Sequence, residues 1–412
     1  MNATTPAPTS NATRGPASPL VWVPVAAVLL GTGWGSNQFT PLLLVYRQTL
    51  GVGAGTLTAM FGVYALGLIP GLLLLGPLSD ARGRRAVVVP AAALSLLASL
   101  VVAAGADSVA LLFVGRLLAG ASSGAAFGAG TAWLREASVP PVGAATDASA
   151  ARRAVVAMTA GFCLGPLVAG LLAQWAPSPR VVPYLPHIVL MAVVLSLLRD
   201  VPETLAPAAR QGLRLSDPAV RSARFRGVVV PMAPWVFAAP AIAFALLPTV
   251  VVATDATNGI ALVAATASLT ALAGVLIQPL ARRLEAHATG SRTAVVGLVV
   301  LAGGLVLSAV AASAGQVWLL VPCAITLGCA YGMCLVAGLL EVQRLAAGDA
   351  LAGVVAAYYA LSYLGFAAPS LLALATHLAS YTVLLAIAGL LALVTAAHVS
   401  HRSTQHPRPQ RS

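Results

Sequence analysis

Ten residues, Gly76-Pro77-Leu78-Ser79-Asp80-Ala81-Arg82-Gly83-Arg84-Arg85, interrupt an otherwise apolar region of the chain. One carboxylate, Asp80, stands among three guanidiniums. Gly76 suits close helix approach, and Gly83 permits a tight turn. On either side lie uncharged runs, 54–78 and 86–105. A helix needs about 20 apolar residues to cross a bilayer, so each run is long enough. The stretch therefore reads as a short charged loop between two membrane spans.

The whole chain repeats that pattern. It has 412 residues, 59% hydrophobic and only 8% charged, with a mean hydropathy of +0.92. Soluble domains carry about 25% charged residues. So few charges cannot cover a water-facing surface, which excludes a soluble enzyme, a disordered chain and a collagen-like fibre. The net charge is +12, yet the basic residues are spread along the chain, so nucleic acid is not the implied partner. Every basic residue is Arg, a bias that points to a GC-rich bacterial source. Cys163, Cys323, Cys329 and Cys334 all lie in apolar runs and read as small hydrophobes in packed helices rather than disulfide or metal positions.

Counting uncharged runs gives twelve spans: 20–45, 54–78, 86–105, 108–132, 154–175, 181–198, 227–251, 258–280, 293–312, 316–340, 350–374 and 380–398. The expected fold is all-α and integral to the membrane, with twelve transmembrane helices in two six-helix bundles. Residues 1–19 read as a disordered cytoplasmic tail, 20–198 and 227–398 as the bundles, 199–226 as a basic cytoplasmic linker, and 399–412 as a second tail. With the N-terminus inside, Arg47 and Arg180 fall in outer connections, Arg116 falls in a span, and the other twenty arginines are inside. That asymmetry is a positive-inside signal for a multi-pass protein of the cell (inner) membrane with both termini cytoplasmic. The triplets at Asn2 and Asn11 have sequon form but then face the cytoplasm.

A weak internal repeat supports the division. Gln278-Pro279-Leu280-Ala281-Arg282 after span 8 echoes Gly76–Asp80 after span 2. Gly365-Phe366 before Pro369 in span 11 echoes Gly161-Phe162 before Pro166 in span 5. Two six-span halves with matching punctuation are what a parallel-repeat transporter predicts.

Residues 76–85 resemble the signature loop of the major facilitator superfamily, Gly-x-x-x-Asp-(Arg/Lys)-x-Gly-(Arg/Lys)-(Arg/Lys). Ala81 stands where the family has its first basic residue, and Arg82 follows one position later. Val201-Pro202-Glu203-Thr204 resembles the common Pro-Glu-Thr ending of span 6. The resemblance implies alternating access by rocking of the two halves. Gly76, Asp80, Arg82, Gly83, Arg84 and Arg85 would form a latch that locks the bundles together on the inner side.

Arg116 sits about eight residues into span 4, roughly 12 Å along the axis. Burying a cation there costs about 3 kcal/mol on insertion scales, so it should face a cavity or a partner. Snorkelling to the interface is the alternative. Arg116-x-x-x-Gly120-x-x-x-Gly124-x-x-x-Gly128 resembles the family's span-four motif. In proton-coupled members that Arg is linked to proton transfer or substrate binding, and the glycines form a packing stripe. Gly161, Gly165, Pro166 and Gly170 resemble the antiporter motif of drug-exporting members, with Ala169 in place of one glycine. Plain helix packing is the alternative reading.

Trp34, Asn37 and Gln38 form the most polar stretch within a span and are candidates for cavity lining. Tyr64, Trp235, Phe244, Tyr331, Tyr358, Tyr359 and Tyr363 are further candidates, each equally readable as packing. No acid lies near the centre of a span. Glu341 is the best embedded, although with Arg344 three residues on it also reads as a surface ion pair. His187 and Asp255 are weaker proton carriers. No Walker loop, zinc pattern or nucleophile elbow is present, so no enzyme chemistry, metal or cofactor is expected. The expected partners are the lipid bilayer, a small-molecule substrate and, as coupling ion, protons; the expected state is monomeric. Export of small amphipathic compounds by proton antiport is the leading function. A metabolite or sugar importer or uniporter, and a non-transporting membrane sensor or scaffold, remain as alternatives.

Overall fold

The computed structural model describes residues 20–205, 218–252, 257–286, 291–346 and 350–405. The expected tail 1–19 with Asn2 and Asn11, residues 206–217 of the linker with Arg210 and Arg214, Asp255, Asp349 and the last residues 406–412 lie outside them.

The described chain is helical. Eleven helices are long and apolar enough to cross a membrane: Ala54–Arg82, Arg85–Ala104, Val109–Ser138, Asp147–Trp175, Val182–Asp200, Phe225–Val251, Gly259–Glu285, Arg292–Ala314, Val317–Leu345, Gly353–His377 and Tyr381–Gln405. These are spans 2 to 12. Span 1 is two helices, Trp22–Asn37 and Phe39–Leu50, joined at Gln38, which keeps a helical backbone. The count of twelve holds.

Several helices outrun the apolar windows. Span 1 continues to Leu50, where Gly51 takes a left-handed φ of 64° and ends it. Span 5 starts at Asp147 because the Thr146 hydroxyl accepts from the Ser149 N–H at 3.3 Å. Span 12 runs to Gln405 rather than 398. Hydropathy marks where a helix leaves the bilayer, and capping marks where it stops.

Span 1 packs on span 5, and spans 2 and 3 pack on span 4. In the second half, span 7 packs on spans 10 and 11, and span 9 on spans 10 and 12. Span 5 against span 8 is the main seam between halves. Small residues allow the tightest crossings. A Cβ on Gly120 would lie 1.9 Å from the Tyr64 carbonyl oxygen, and one on Gly124 2.3 Å from that of Leu68, so span 4 touches the backbone of span 2. Gly161 and Gly165 set span 5 on Leu30 and Trp34 of span 1 in the same way. Gly170 instead faces Ala264 of span 8, across the seam. Gly76 differs from expectation: a Cβ there meets nothing within 4 Å, so it serves no close approach.

One end of the bundle carries Arg82, Arg84, Arg85, Arg135, Arg224, Arg344, Arg402 and both described termini. At the opposite end the halves are fastened together. Arg47 of span 1 donates to the Thr249 carbonyl at 2.9 Å. Gln174 of span 5 donates to the Thr257 carbonyl at 3.0 Å and accepts from the Ile260 and Ala261 N–H groups at 3.1 and 3.2 Å. Phe61 of span 2 meets Phe244 and Phe366 at ring separations of 5.8 and 5.1 Å, closing the middle of the interface.

Candidate functional site

Between the halves lies a cavity. Spans 1, 2, 4 and 5 contribute Ser36, Asn37, Tyr64, Arg116, Phe127, Thr159, Phe162 and Pro166. Spans 7, 8, 10 and 11 contribute Phe237, Phe244, Ala267, Ala271, Tyr331, Tyr363 and Phe366. Phe237 stacks on Tyr363 at 4.2 Å and on Phe366 at 5.4 Å, so the second wall is a continuous aromatic surface.

Arg116 is 2% exposed. It does not snorkel. Its terminal nitrogens donate to the carbonyls of Ser36 at 3.0 Å and Phe61 at 3.4 Å. The guanidinium lies 4.7 Å from the Tyr64 ring centre and 4.9 Å from that of Phe39. Tyr64 donates to the Ser36 hydroxyl at 2.9 Å, and Ser36 donates to the Thr32 carbonyl at 2.7 Å. Span 1 is thus held to spans 2 and 4 by polar groups around one cation.

A second, smaller cavity lies inside the first half, lined by Ser36, Gln38, Ser95, Ser99, Arg116, Ser123 and Tyr184. His187 closes its far side through Ser99. The imidazole Nε2 lies 2.9 Å from the Gly31 carbonyl and Nδ1 2.8 Å from the Ser99 hydroxyl. A carbonyl can only accept, so Nε2 carries the proton and Ser99 donates to Nδ1. Gln38 donates to the Ser99 oxygen at 2.8 Å, while its own Oε1 has no partner. The sequence expectation for Gln38 was the central cavity; it faces this second one.

The other expected residues separate. Asn37, Tyr64, Tyr331, Phe244 and Tyr363 line the central cavity. Trp34 backs onto span 5 with its indole nitrogen buried and unpartnered. Trp235 points away, donating to Thr395 of span 12 at 3.2 Å. Tyr359 stands behind Tyr363, and Tyr358 is buried, donating to the Cys334 and Leu335 carbonyls at 3.2 Å. Phe61, Phe127 and Phe237 line the cavity without a sequence signal beyond being aromatic. Phe162 and Phe366 line it too, and their signal was the echo between spans 5 and 11.

Glu341 is neither in the cavity nor on the surface. It is 2% exposed at the arginine-rich end and pairs with Arg224. Ser291 donates to it at 3.4 Å, and Arg344 approaches to 3.8 Å while bonding Glu285 at 2.7 Å. The nearby Arg344 pointed to a surface pair, but the stronger partner comes from span 7.

The loop at Gly76–Arg85 builds a corresponding network in the first half. Arg84 bonds Asp80, Glu136 at 3.1 Å and Ser79 at 2.9 Å. Glu203 accepts from the backbone N–H of Arg84 at 3.0 Å and of Arg85 at 2.9 Å. Gly83 has φ 109°, and a Cβ there would strike Glu203. Arg85 donates to the carbonyls of Leu198, Val201 and Arg199. Arg82 is exposed, and Arg84 takes the role expected of a residue next to Asp80. Among the described residues these bonds tie spans 2, 3, 4 and 6 to one another, all within one half, so the expected lock between bundles is not formed here.

The profile of the Major Facilitator Superfamily matches residues 25–370. The chain belongs to the major facilitator superfamily. Its fold is similar to that of a POT family transporter solved with 5-aminolevulinic acid, at 13% identity and TM-score 0.74, covering 97% of this chain and 98% of that one. It is also similar to the nucleoside transporter NupG, at 14% identity and TM-score 0.71, covering 93% and 98%. A peptide transporter solved with alafosfalin gives 14% identity and TM-score 0.71, covering 95% and 97%. No curated protein matches the chain in sequence. This superfamily membership makes the chain a multi-pass membrane transporter rather than an enzyme.

Proposed function

We propose that the chain is a secondary active transporter that works by alternating access and exports small amphipathic organic compounds in exchange for protons. The observation that carries the reading is the cavity itself: it lies at the seam of the two halves, with an aromatic wall from the second half and, from the first, a wall that mixes Phe127 and Phe162 with Asn37, Thr159 and Arg116. The halves touch at the arginine-poor end, so rocking about the span 5–span 8 seam is the motion proposed. Both termini are assigned to the cytoplasm on the arginine distribution. Export rests on Gly161–Gly170. In that segment Pro166 lines the cavity while Gly170 meets span 8, which supports a role for the antiporter-like segment where the halves touch.

Proteoliposomes with an imposed pH gradient test this. Loaded amphipathic dyes should leave the predicted cytoplasmic side against protons. Movement of sugars or amino acids with no movement of the dyes would sink the export reading. A second reading, uniport without proton coupling, has one observation in its favour: among the described residues no Asp or Glu lines the cavity. Flux that equalises concentrations and ignores the imposed pH gradient would select it.

A further inference from the structure

The central cavity has a charge imbalance. Arg116 is the one charged residue among those that line it. Its two bonded partners are carbonyl oxygens, which accept hydrogen bonds but neutralise no charge. Its Nε is buried with no hydrogen-bond partner. A guanidinium offers five N–H donors in a planar fork, so the fork is part-used and its charge unbalanced. Ring faces of Tyr64 and Phe39 soften this without cancelling it. Other buried cations of the chain are treated differently: Arg224 holds Glu341, and Arg84 holds Asp80 and Glu136. Arg116 alone sits in the cavity with its counter-charge missing from the described residues.

We propose that the substrate is an amphipathic organic monoanion: an aromatic or branched apolar body ending in one carboxylate. The carboxylate binds Arg116, with Tyr64 and Asn37 beside it. The body lies on the wall of Phe237, Tyr331 and Tyr363. The proposal rests on the cavity being the transport site. It adds the sign and number of the charge. One guanidinium balances one negative charge and fits a carboxylate with two parallel bonds. A phosphate monoester carries roughly 1.5 to 2 negative charges at neutral pH, which leaves part of its charge unpaired here. An organic cation meets like charge.

The test uses the purified full chain in detergent with sets of three ligands sharing a skeleton: 4-phenylbutanoate, its amide and 4-phenylbutylamine; indole-3-acetate, its amide and tryptamine. Tryptophan fluorescence or the unfolding temperature reads binding. Within a set the carboxylate should bind about tenfold or more tightly than its amide, and the amine least. Arg116→Gln should level the series, and Arg116→Lys should keep the order with weaker binding. Arg116→Gln should also lose some stability, because Arg116 bonds the Ser36 and Phe61 carbonyls, so binding is compared at a temperature where both proteins are folded. Equal binding of amides or amines, absence of a carboxylate preference in every set, or a preference that survives in Arg116→Gln overturns the proposal. If carboxylates bind as expected yet nothing moves in proteoliposomes, the transport reading fails and the anion site stands.

Discussion

The two halves place their charge at opposite depths. The first half keeps a bare cation, Arg116, beside the central cavity, and its network at the arginine-rich end is partly wet: the Asp80 side chain is 37% exposed and that of Glu136 26%. The second half lines the cavity with uncharged rings, and its network at that end is dry: the Arg224 and Glu341 side chains are 5% and 2% exposed. The two networks therefore share an end of the bundle but differ in physics. A wet network exchanges its bonds for water at small cost and can rearrange as the halves move. A dry one cannot, since each ion removed leaves another unpaired. The second half reads as a stiff aromatic wall, the first as the polar and adjustable partner.

This contrast can be broken at its strongest point first. Glu341→Gln should destabilise the protein by about 3–5 kcal/mol, the range for breaking a buried ion pair. Thermal unfolding in detergent would read it, and a loss below 1 kcal/mol would show that the second network is as soft as the first. Next comes the hydroxyl that bridges Gln38 and His187. Ser99→Ala leaves buried polar groups unpaired and should cost about 1–3 kcal/mol in the same assay. An unchanged midpoint would mean that water fills the gap at no loss. Asp80→Asn should cost under about 1 kcal/mol, because Arg84 keeps Glu136 and the site is solvated. Its effect should appear instead in spin-label distances across the arginine-rich end, and an unaltered distribution would count against any latch role. The smallest effect is that of salt. Raising ionic strength should loosen the loop at Asp80 and leave Glu341 unaffected, as followed by hydrogen exchange around each residue.

The sequence made the wet network legible and hid the dry one. Asp80, Gly83 and Arg84 sit within five residues, so spacing alone brings them together. Arg224 and Glu341 are 117 positions apart, and the adjacent Arg344 supplied a sufficient local explanation. Arg116 was legible because a cation inside an apolar run is rare. The twelve spans were legible because charge is scarce, but their ends were not, since capping by Thr146 or Gly51 is independent of hydropathy. Aromatic lining was only half legible. Tyr64 and Tyr331 face the cavity while Trp235 and Tyr359 do not. One apolar ring looks like another until the helix rotation is known.

The unbalanced guanidinium also has an electrical consequence. Moving one elementary charge through a full membrane potential of 100 mV is worth about 2.3 kcal/mol. When the halves rock, Arg116 shifts relative to the field, so the empty carrier should carry a gating current. A bound monoanion cancels that charge, and the loaded carrier should reorient silently. Voltage would then govern the substrate-free return rather than the substrate-loaded stroke. Capacitive recordings on supported membranes, with and without carboxylate, would show whether the current disappears on loading.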